Sequence, residues 1–391
     1  MLSTFAATTP SRVRRATCAT MALFFANGAT FATWGIHIPT IRERFGLSDA
    51  ALSLAMFAVA GGAILVMGRL GRQVARLGSG RVSMWSGVLF ALATGCILLM
   101  PSFAALLVLL VLFGIANAGF DVAMNAQAAT VEAAHAHPIM SMLHGMFSLG
   151  GMAGAALGGW VLSLGVTPAT HVTAVALLTA ATALLTRPLL LPDAIPADTA
   201  AATDGQHRRM LLVLGTLAFL GLLGEGAMYD WSTIYMRDIA GAAAASASAG
   251  YAVFSGGMAL ARFGGDAVRK RLGAPRLLTW SAWLAFGGML LAVALPQPWS
   301  ALLGFGLMGV GAANMVPIFF VTAARLPGVA PAEAIANVAR FAYVGMLLGP
   351  VIIGTVSHAS NLRVGLGVIA LSMGVIALCG ARSIRPTPAK Y

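Results

Sequence analysis

Four polar residues lie within or just beyond a long apolar stretch, Phe103 to Ala129. Asn117, Asp121, Asn125 and Glu132 fall on one side of a predicted helix, because steps of three, four and seven residues return to the same face. A helix that crosses lipid cannot turn these residues to hydrocarbon, where an ionisable group costs about 2.5 to 3.5 kcal/mol. The polar stripe must therefore face other helices or a water-filled cavity, which makes Asp121 the first candidate for transport chemistry.

Asp121 has two interpretations. It could be a structural carboxylate that hydrogen-bonds a neighbouring helix, or a group that binds a substrate or a proton. In a low dielectric a carboxylate can load and release a proton near neutral pH, which favours the second interpretation. Asn125 could bind substrate or hold the carboxylate, and Asn117 could instead join two helices. Glu132 is predicted to belong to a gate or to a solvated loop.

A second intramembrane acid occurs in the segment Gly224-Glu225-Gly226. Its glycines permit close helix approach or local unwinding, as at many transporter sites, so Glu225 could line a substrate path. Tyr229 and Trp231 could stack on a sugar-like ring, although an aromatic belt at the membrane surface would explain Trp231 as well. Asp230 is expected at the outer end of the same helix.

Other polar residues in apolar segments are candidates to line a cavity. His144 could relay protons, because histidine titrates near neutral pH, or it could simply pack and hydrogen-bond. Arg340 needs an anionic partner, either an acid of the chain or a substrate, unless it extends to the membrane surface. The remaining candidates are Asn27, Trp34, His37, Asn314 and Tyr343.

Membrane-spanning helices are the elements that must position these residues. Only 9% of the 391 residues are charged and 59% are hydrophobic, whereas soluble domains are roughly 25% charged. Continuous apolar runs of about 20 residues favour helices over a closed barrel, whose strands alternate in polarity. The runs predict an all-α polytopic protein with twelve spans, at 17–39, 50–68, 82–100, 103–128, 138–163, 169–186, 211–235, 247–264, 277–295, 299–323, 334–356 and 363–381.

The net charge of +12 could suggest a nucleic-acid partner, but its distribution indicates membrane topology instead. Three arginines precede the first apolar run, which is too long for a signal peptide and predicts an uncleaved first span. Cytoplasmic loops carry an excess of Lys and Arg, so both termini are expected in the cytoplasm of a bacterium, and the protein in its inner membrane. Only four of the 24 Lys and Arg would then lie outside, namely Arg42, Arg44, Arg237 and Arg363.

Two six-helix bundles, 1–186 and 211–391, are predicted to be joined by a Pro-rich cytoplasmic linker at 187–210. Arg76-Leu77-Gly78 matches Arg271-Leu272-Gly273 at an offset of 195 residues. A shared offset of half the chain length indicates duplicated halves of like orientation. The same offset relates Gly114 to Gly309, Gly150 to Gly345 and Gly154 to Gly349.

In these features the chain resembles the major facilitator superfamily, whose members have two six-helix halves and a basic, glycine-containing loop after the second helix of each half. Gly68-Arg69-Leu70-Gly71-Arg72 is similar to that loop, although Arg72 replaces the usual Asp; the second copy keeps its acid as Asp266. The first loop therefore lacks the acid of the family's usual charge relay. The resemblance assigns the loops to a gate, with Arg72, Arg76, Arg81, Glu132, Asp266, Arg271 and Arg276 as candidates.

Within the superfamily, the segment Phe120 to Asn125 is similar to the fourth helix of L-fucose permease and related bacterial sugar-type permeases. That likeness implies that Asp121 is a proton-linked carboxylate. The segment Gly35 to Pro39 lacks the acid that fucose permease carries there, so fucose itself is not implied. Asp121 to Gln127, with Glu132 and His144, also resembles an uncharacterised bacterial branch that has members linked to rhizopine transport.

The sequence therefore predicts a secondary transporter of a small polar solute, sugar-like or another metabolite, working by alternating access. Proton coupling is assigned to Asp121, with Glu225 and His144 as further candidates. A proton-antiporting exporter of drugs or amphipathic metabolites is the alternative, because 20 Met and 19 Phe could form an adaptable apolar pocket. The sequence has no phosphate-binding loop and no metal-ligand spacing, so neither enzymatic activity nor a cofactor is expected. The expected partners are the solute, protons and lipid, with no nucleic acid, and the protein is expected to be a monomer.

Overall fold

The computed structural model describes residues 9–135, 139–193, 205–326 and 331–384, and all regular structure in them is helical. This confirms the predicted all-α class. Three short 3-10 turns, 97–99, 187–189 and 244–246, accompany the α-helices. The α-helices are α1 (Pro10–Phe45), α2 (Asp49–Leu77), α3 (Ser79–Cys96), α4 (Phe103–Ala133), α5 (Met140–Ser163), α6 (Pro168–Thr186), α7 (Gly205–Asp238), α8 (Ala249–Leu272), α9 (Ala274–Ala294), α10 (Pro298–Ala312), α11 (Met315–Ala324), α12 (Pro331–Ala359) and α13 (Leu362–Ser383).

The twelve predicted spans correspond in order to these helices, with α10 and α11 together making the tenth. Ten helical segments of the described residues are long and apolar enough to cross a membrane; α1 and α8 fall outside that set because they carry more polar residues, among them Asn27 and Arg262. The tenth span is interrupted between Ala312 and Met315. Pro317 lies just beyond this break, where it lacks the N–H that a continuous helix would require.

Residue contacts divide the chain into two compact units. The first comprises Met1–Trp34 and Ala58–Pro196, and the second comprises Gly35–Phe57 and Ala197–Tyr391. The end of α1 and the start of α2 thus contribute to the second unit rather than the first. Part of the predicted linker, 194–204, lies outside the described residues.

The same short turn occurs once in each unit, at the positions that the repeat relates. Gly78 joins α2 to α3 with φ of 86°, and Gly273 joins α8 to α9 with φ of 75°. Gly78 N–H donates to the Val74 carbonyl, and Gly273 N–H donates to the Arg269 carbonyl. Glycine adopts this left-handed backbone without the steric cost that a side chain adds, so the turn requires glycine at both positions.

Close helix contacts also recur at equivalent positions inside each unit. Gly150 of α5 lies against the Phe25 carbonyl of α1, and Gly345 of α12 lies against the Phe219 carbonyl of α7. Any side chain at these glycines would collide with backbone, so each pair of helices can approach this closely only with glycine. Equivalent glycines therefore form equivalent packing surfaces in the two units.

Replacing Gly150 with Ala is expected to lower the apparent melting temperature in detergent by several degrees, because the added Cβ would overlap the α1 backbone. Gly61→Ala in α2 is the matched control, since no atom lies within 4 Å of a Cβ there. The control is expected to melt like the parent protein or slightly higher, because alanine favours helix. Equal melting of the two variants would contradict this packing argument.

Candidate functional site

Asp121 lies in the middle of α4 and is half-buried. Asn125, one helical turn further on, donates from Nδ2 to Asp121 Oδ1 at 3.2 Å and to the Asp121 backbone carbonyl at 2.9 Å. Of the two roles considered for Asn125, holding the carboxylate is therefore the one that these contacts favour. Within the described part of the chain, Asp121 forms no ion pair with a basic side chain.

Asp121 is partly exposed, but its side chain is not on the side of α4 where the fully exposed residues lie. Side chains on that side recur along the helix at Ala104, Val108, Leu112, Ala129 and Ala133. With about 100° of rotation per residue, the stripe that contains Asp121 is centred roughly 120° away from them. Asp121 is therefore accessible on a side of α4 that differs from the fully exposed side. A residue that lines a passage between helices requires such a position.

Asn27 of α1 and Asn117 of α4 add hydrogen-bond acceptors to the first unit. Asn27 is 2% exposed, and its Nδ2 donates to the sulfur of Met124 at 3.7 Å. The Oδ1 atoms of Asn27 and Asn117 are buried, and among the described residues neither accepts a hydrogen bond. Both acceptors are enclosed in this conformation, so a solute with hydroxyl or amine donors would reach them only once the surrounding helices open.

Aromatic packing surrounds two other candidates in the first unit. Trp34 is 2% exposed, and its ring lies 5.9 Å from that of Phe113. His144 of α5 is half-buried and meets the ring of Phe24 edge-on at 5.3 Å. Trp34 is thus closed to a solute in this structure, whereas His144 keeps partial access.

Glu132 connects α4 to the start of α5. Its Oε2 accepts hydrogen bonds from the backbone N–H groups of Ile139 and Met140, at 2.7 and 2.6 Å. A carboxylate at this position satisfies N–H groups at a helix N-terminus and complements the positive end of the helix. The contact explains Glu132 as a helix cap.

The other gate candidates lie at the ends of α2, α3, α8 and α9. The side chain of Asp266 lies outside the described residues. The five arginines are all exposed, namely Arg72, Arg76, Arg81, Arg271 and Arg276.

The second unit contains a buried ion pair that the sequence analysis did not identify. Arg262 of α8 donates from one terminal nitrogen to Glu225 Oε1 of α7 at 3.1 Å, and their side chains are 12% and 7% exposed. Tyr229 donates from its hydroxyl to the same Glu225 oxygen at 3.1 Å. The available signal was an arginine within the predicted span 247–264, because an arginine inside the membrane needs an anionic partner.

Asn314 lies in the break between α10 and α11, beside the same part of α8. Its Nδ2 donates to the Ala261 carbonyl at 3.5 Å, and its side chain packs against Gly265. Arg340 of α12 is exposed, with no ion pair to another described residue, and Tyr343 is half-buried. The exposure of Arg340 agrees with the alternative in which it extends to the membrane surface.

Three further candidates of the second unit are enclosed by helices in this structure. Trp231 is fully buried, and its Nε1 donates to the Pro350 carbonyl of α12 at 2.9 Å. Tyr229 is 1% exposed, between the rings of Tyr251 and Phe254. His37, at 1% exposed, is equally buried. In this conformation these rings stabilise helix contacts rather than face a solute.

Ion pairs also connect the segment 35–57 to the end of α7. Arg42 pairs with Asp49 at 2.9 Å and with Asp238 at 2.6 Å, while Arg237 pairs with Asp238 and Glu43, both at 2.7 Å. The sequence placed Arg42 and Arg237 on the same side of the membrane but indicated no pairing between them. This network helps explain why the segment belongs to the second unit.

Comparisons with known proteins agree with this architecture. A model of the Major Facilitator Superfamily matches residues 19–330. An uncharacterised MFS-type transporter of Yersinia pestis is 34% identical over 92% of this chain and 94% of its own length. The membrane protein MosC of Rhizobium meliloti is 34% identical over 93% of this chain and 90% of its own. A solved structure of the nucleoside transporter NupG aligns with a TM-score of 0.70 over 94% of this chain and 100% of that chain, at 14% identity.

Proposed function

The chain belongs to the Major Facilitator Superfamily, and on that premise we propose that it moves a small polar solute across the bacterial inner membrane by alternating access, coupled to protons through Asp121. The observation that carries the proton assignment is the difference between two acids. Glu225 is paired with Arg262, whereas Asp121 is held by the neutral amide of Asn125. A carboxylate without a cationic partner can become neutral without leaving a buried positive charge behind.

The acceptor groups of the first unit support a solute that donates hydrogen bonds. The Oδ1 atoms of Asn27 and Asn117 lie on α1 and α4, and Asp121 adds a carboxylate to α4. Hydroxyl groups of a sugar-like solute have the donors that these atoms require. The finer likeness to the sugar-type permeases stays a prediction, as do the cytoplasmic termini and the monomeric state.

A ligand screen followed by flux measurement tests this function. Purified protein is heated with sugars, polyols, nucleosides, amino acids and vitamins, and a true ligand raises its melting temperature by mass action. The ligand is then offered to vesicles that contain the protein and carry an imposed pH gradient. We expect accumulation that stops when a protonophore is added.

Two results would contradict the proposal. Accumulation that persists without a pH gradient and is unaffected by the protonophore would exclude proton coupling. Gradient-driven extrusion of amphipathic compounds only, with no flux of any polar solute, would favour the exporter alternative.

A further inference from the structure

A polar seam runs between α7 and α8 in the second unit. It is formed by Glu225 and Tyr229 of α7 and by Tyr251, Met258 and Arg262 of α8, which lie one or two helical turns apart on each helix. The rings of Tyr229 and Tyr251 lie 5.3 Å apart, and the Tyr229 hydroxyl approaches the sulfur of Met258 at 3.6 Å. Tyr229, Tyr251 and Met258 are at most 1% exposed. The seam is therefore a polar path inside the protein rather than a solvated surface.

Hydroxyl groups on both helices of this seam have no hydrogen-bond partner in the described part of the chain. Tyr251, Ser255 and Ser232 are each 0% exposed, and no described residue hydrogen-bonds their hydroxyl oxygens. A serine in a helix can rotate to bond the carbonyl one turn before it. The phenol of Tyr251 cannot, because its ring holds the hydroxyl far from the backbone of its own helix. Leaving such a group unsatisfied costs about 1–3 kcal/mol.

Glu225 is the acid of the seam that contacts place near Tyr251. Its partner Tyr229 donates to Oε1 at 3.1 Å, and the rings of Tyr229 and Tyr251 lie 5.3 Å apart. Tyr251 is covered by Gly35 of α1, where a Cβ would lie 2.8 Å from the ring. Tyr251 is thus enclosed on the side of α7 that carries Glu225.

We propose that the seam binds ordered water at the Tyr251 hydroxyl, beside the hydrogen bond of Tyr229 to Glu225. Buried water in proteins makes two to four hydrogen bonds to polar groups that would otherwise be unsatisfied. The hydroxyls of Tyr251 and Ser255 and the Glu225 carboxylate supply that many partners.

The water solvates the buried polar groups beside the ion pair of Glu225 with Arg262. The other ionisable groups of the seam are Arg262, paired with Glu225, and Tyr229, bonded to Glu225; α10, which also packs on α8, contains no ionisable residue. His37 is the titratable residue buried in the 35–57 segment that covers the seam. The hydration of the seam does not depend on the proposed proton coupling.

Hydroxyl-radical labelling by pulsed X-rays tests the water site, because radicals formed from internal water modify the side chains beside it. Tyr251 and Met258 are expected to be labelled at least several-fold faster than Tyr235 and Met289 in the protein held in lipid nanodiscs. All four are 0% exposed, and the Tyr235 hydroxyl is satisfied by the Ala292 carbonyl at 2.6 Å. Labelling of Tyr251 and Met258 at the rate of these controls would overturn the proposal.

A substitution then locates the water. Tyr251→Phe removes the hydroxyl but keeps the ring, so labelling of Met258 is expected to fall several-fold while labelling of Tyr235 stays unchanged as a measure of folding. Unchanged labelling of Met258 in this variant would show that Tyr251 does not hold the water. Failure of solute accumulation in the flux experiments would contradict the proposed function without altering these labelling rates.

Discussion

Asp121→Asn is expected to abolish solute accumulation driven by a pH gradient, so that the ratio of internal to external solute falls to about one. Asn keeps the size and the hydrogen-bonding capacity of the side chain, including the contact with Asn125, but it cannot gain or lose a proton. Solute exchange across vesicles without a gradient is expected to continue, because exchange requires the solute site but no net proton movement.

Glu132→Gln is the matched control for this experiment, since it changes an acid to an amide on the same helix. Glu132 caps α5 through two backbone N–H groups that both donate to its Oε2, and the amide oxygen of Gln can accept both hydrogen bonds at that position. Accumulation in this control is expected to be close to that of the parent protein. If Asp121→Asn accumulates the solute as well as the control does, Asp121 is not the proton carrier.

Arg262→Met is expected to destabilise the protein by about 3–5 kcal/mol, because it leaves the buried Glu225 carboxylate without its cation. The measurement is the apparent melting temperature, or the half-life at a fixed temperature, in lipid nanodiscs. Arg340→Met is the matched control, since Arg340 is exposed and has no ion pair within the described residues. It is expected to change stability little.

The double variant Glu225→Gln with Arg262→Met tests whether the loss of stability in Arg262→Met comes from the unpaired charge of Glu225. Removing both charges also removes the cost of a buried, unpaired ion, so the double variant is expected to be more stable than Arg262→Met alone. The Gln oxygen can still accept the hydrogen bond from Tyr229. A double variant that is less stable than the single one would show that Glu225 remains satisfied when Arg262 is absent.

The two intramembrane acids show where inference from the sequence ends. Asp121 was distinguished by its position in a polar stripe, and the period of a helix is a local property that sequence spacing reveals. Its contact with Asn125 is equally local, since the two residues are one turn apart. Glu225 was predicted from its flanking glycines, which are also local, but its partner Arg262 is 37 residues away on another helix.

The amino-acid sequence by itself determined the helical membrane class, the superfamily, the repeat at an offset of 195 and the stripe that contains Asp121. Each of these depends on hydrophobic run length or on local spacing, which lipid and helix geometry constrain directly. Only the tertiary structure decided that Trp231 bonds Pro350, that Arg262 neutralises Glu225 and that residues 35–57 pack with the second unit. Those contacts join residues distant in sequence, and the rotation and depth at which two helices meet depend on the packing of both surfaces together.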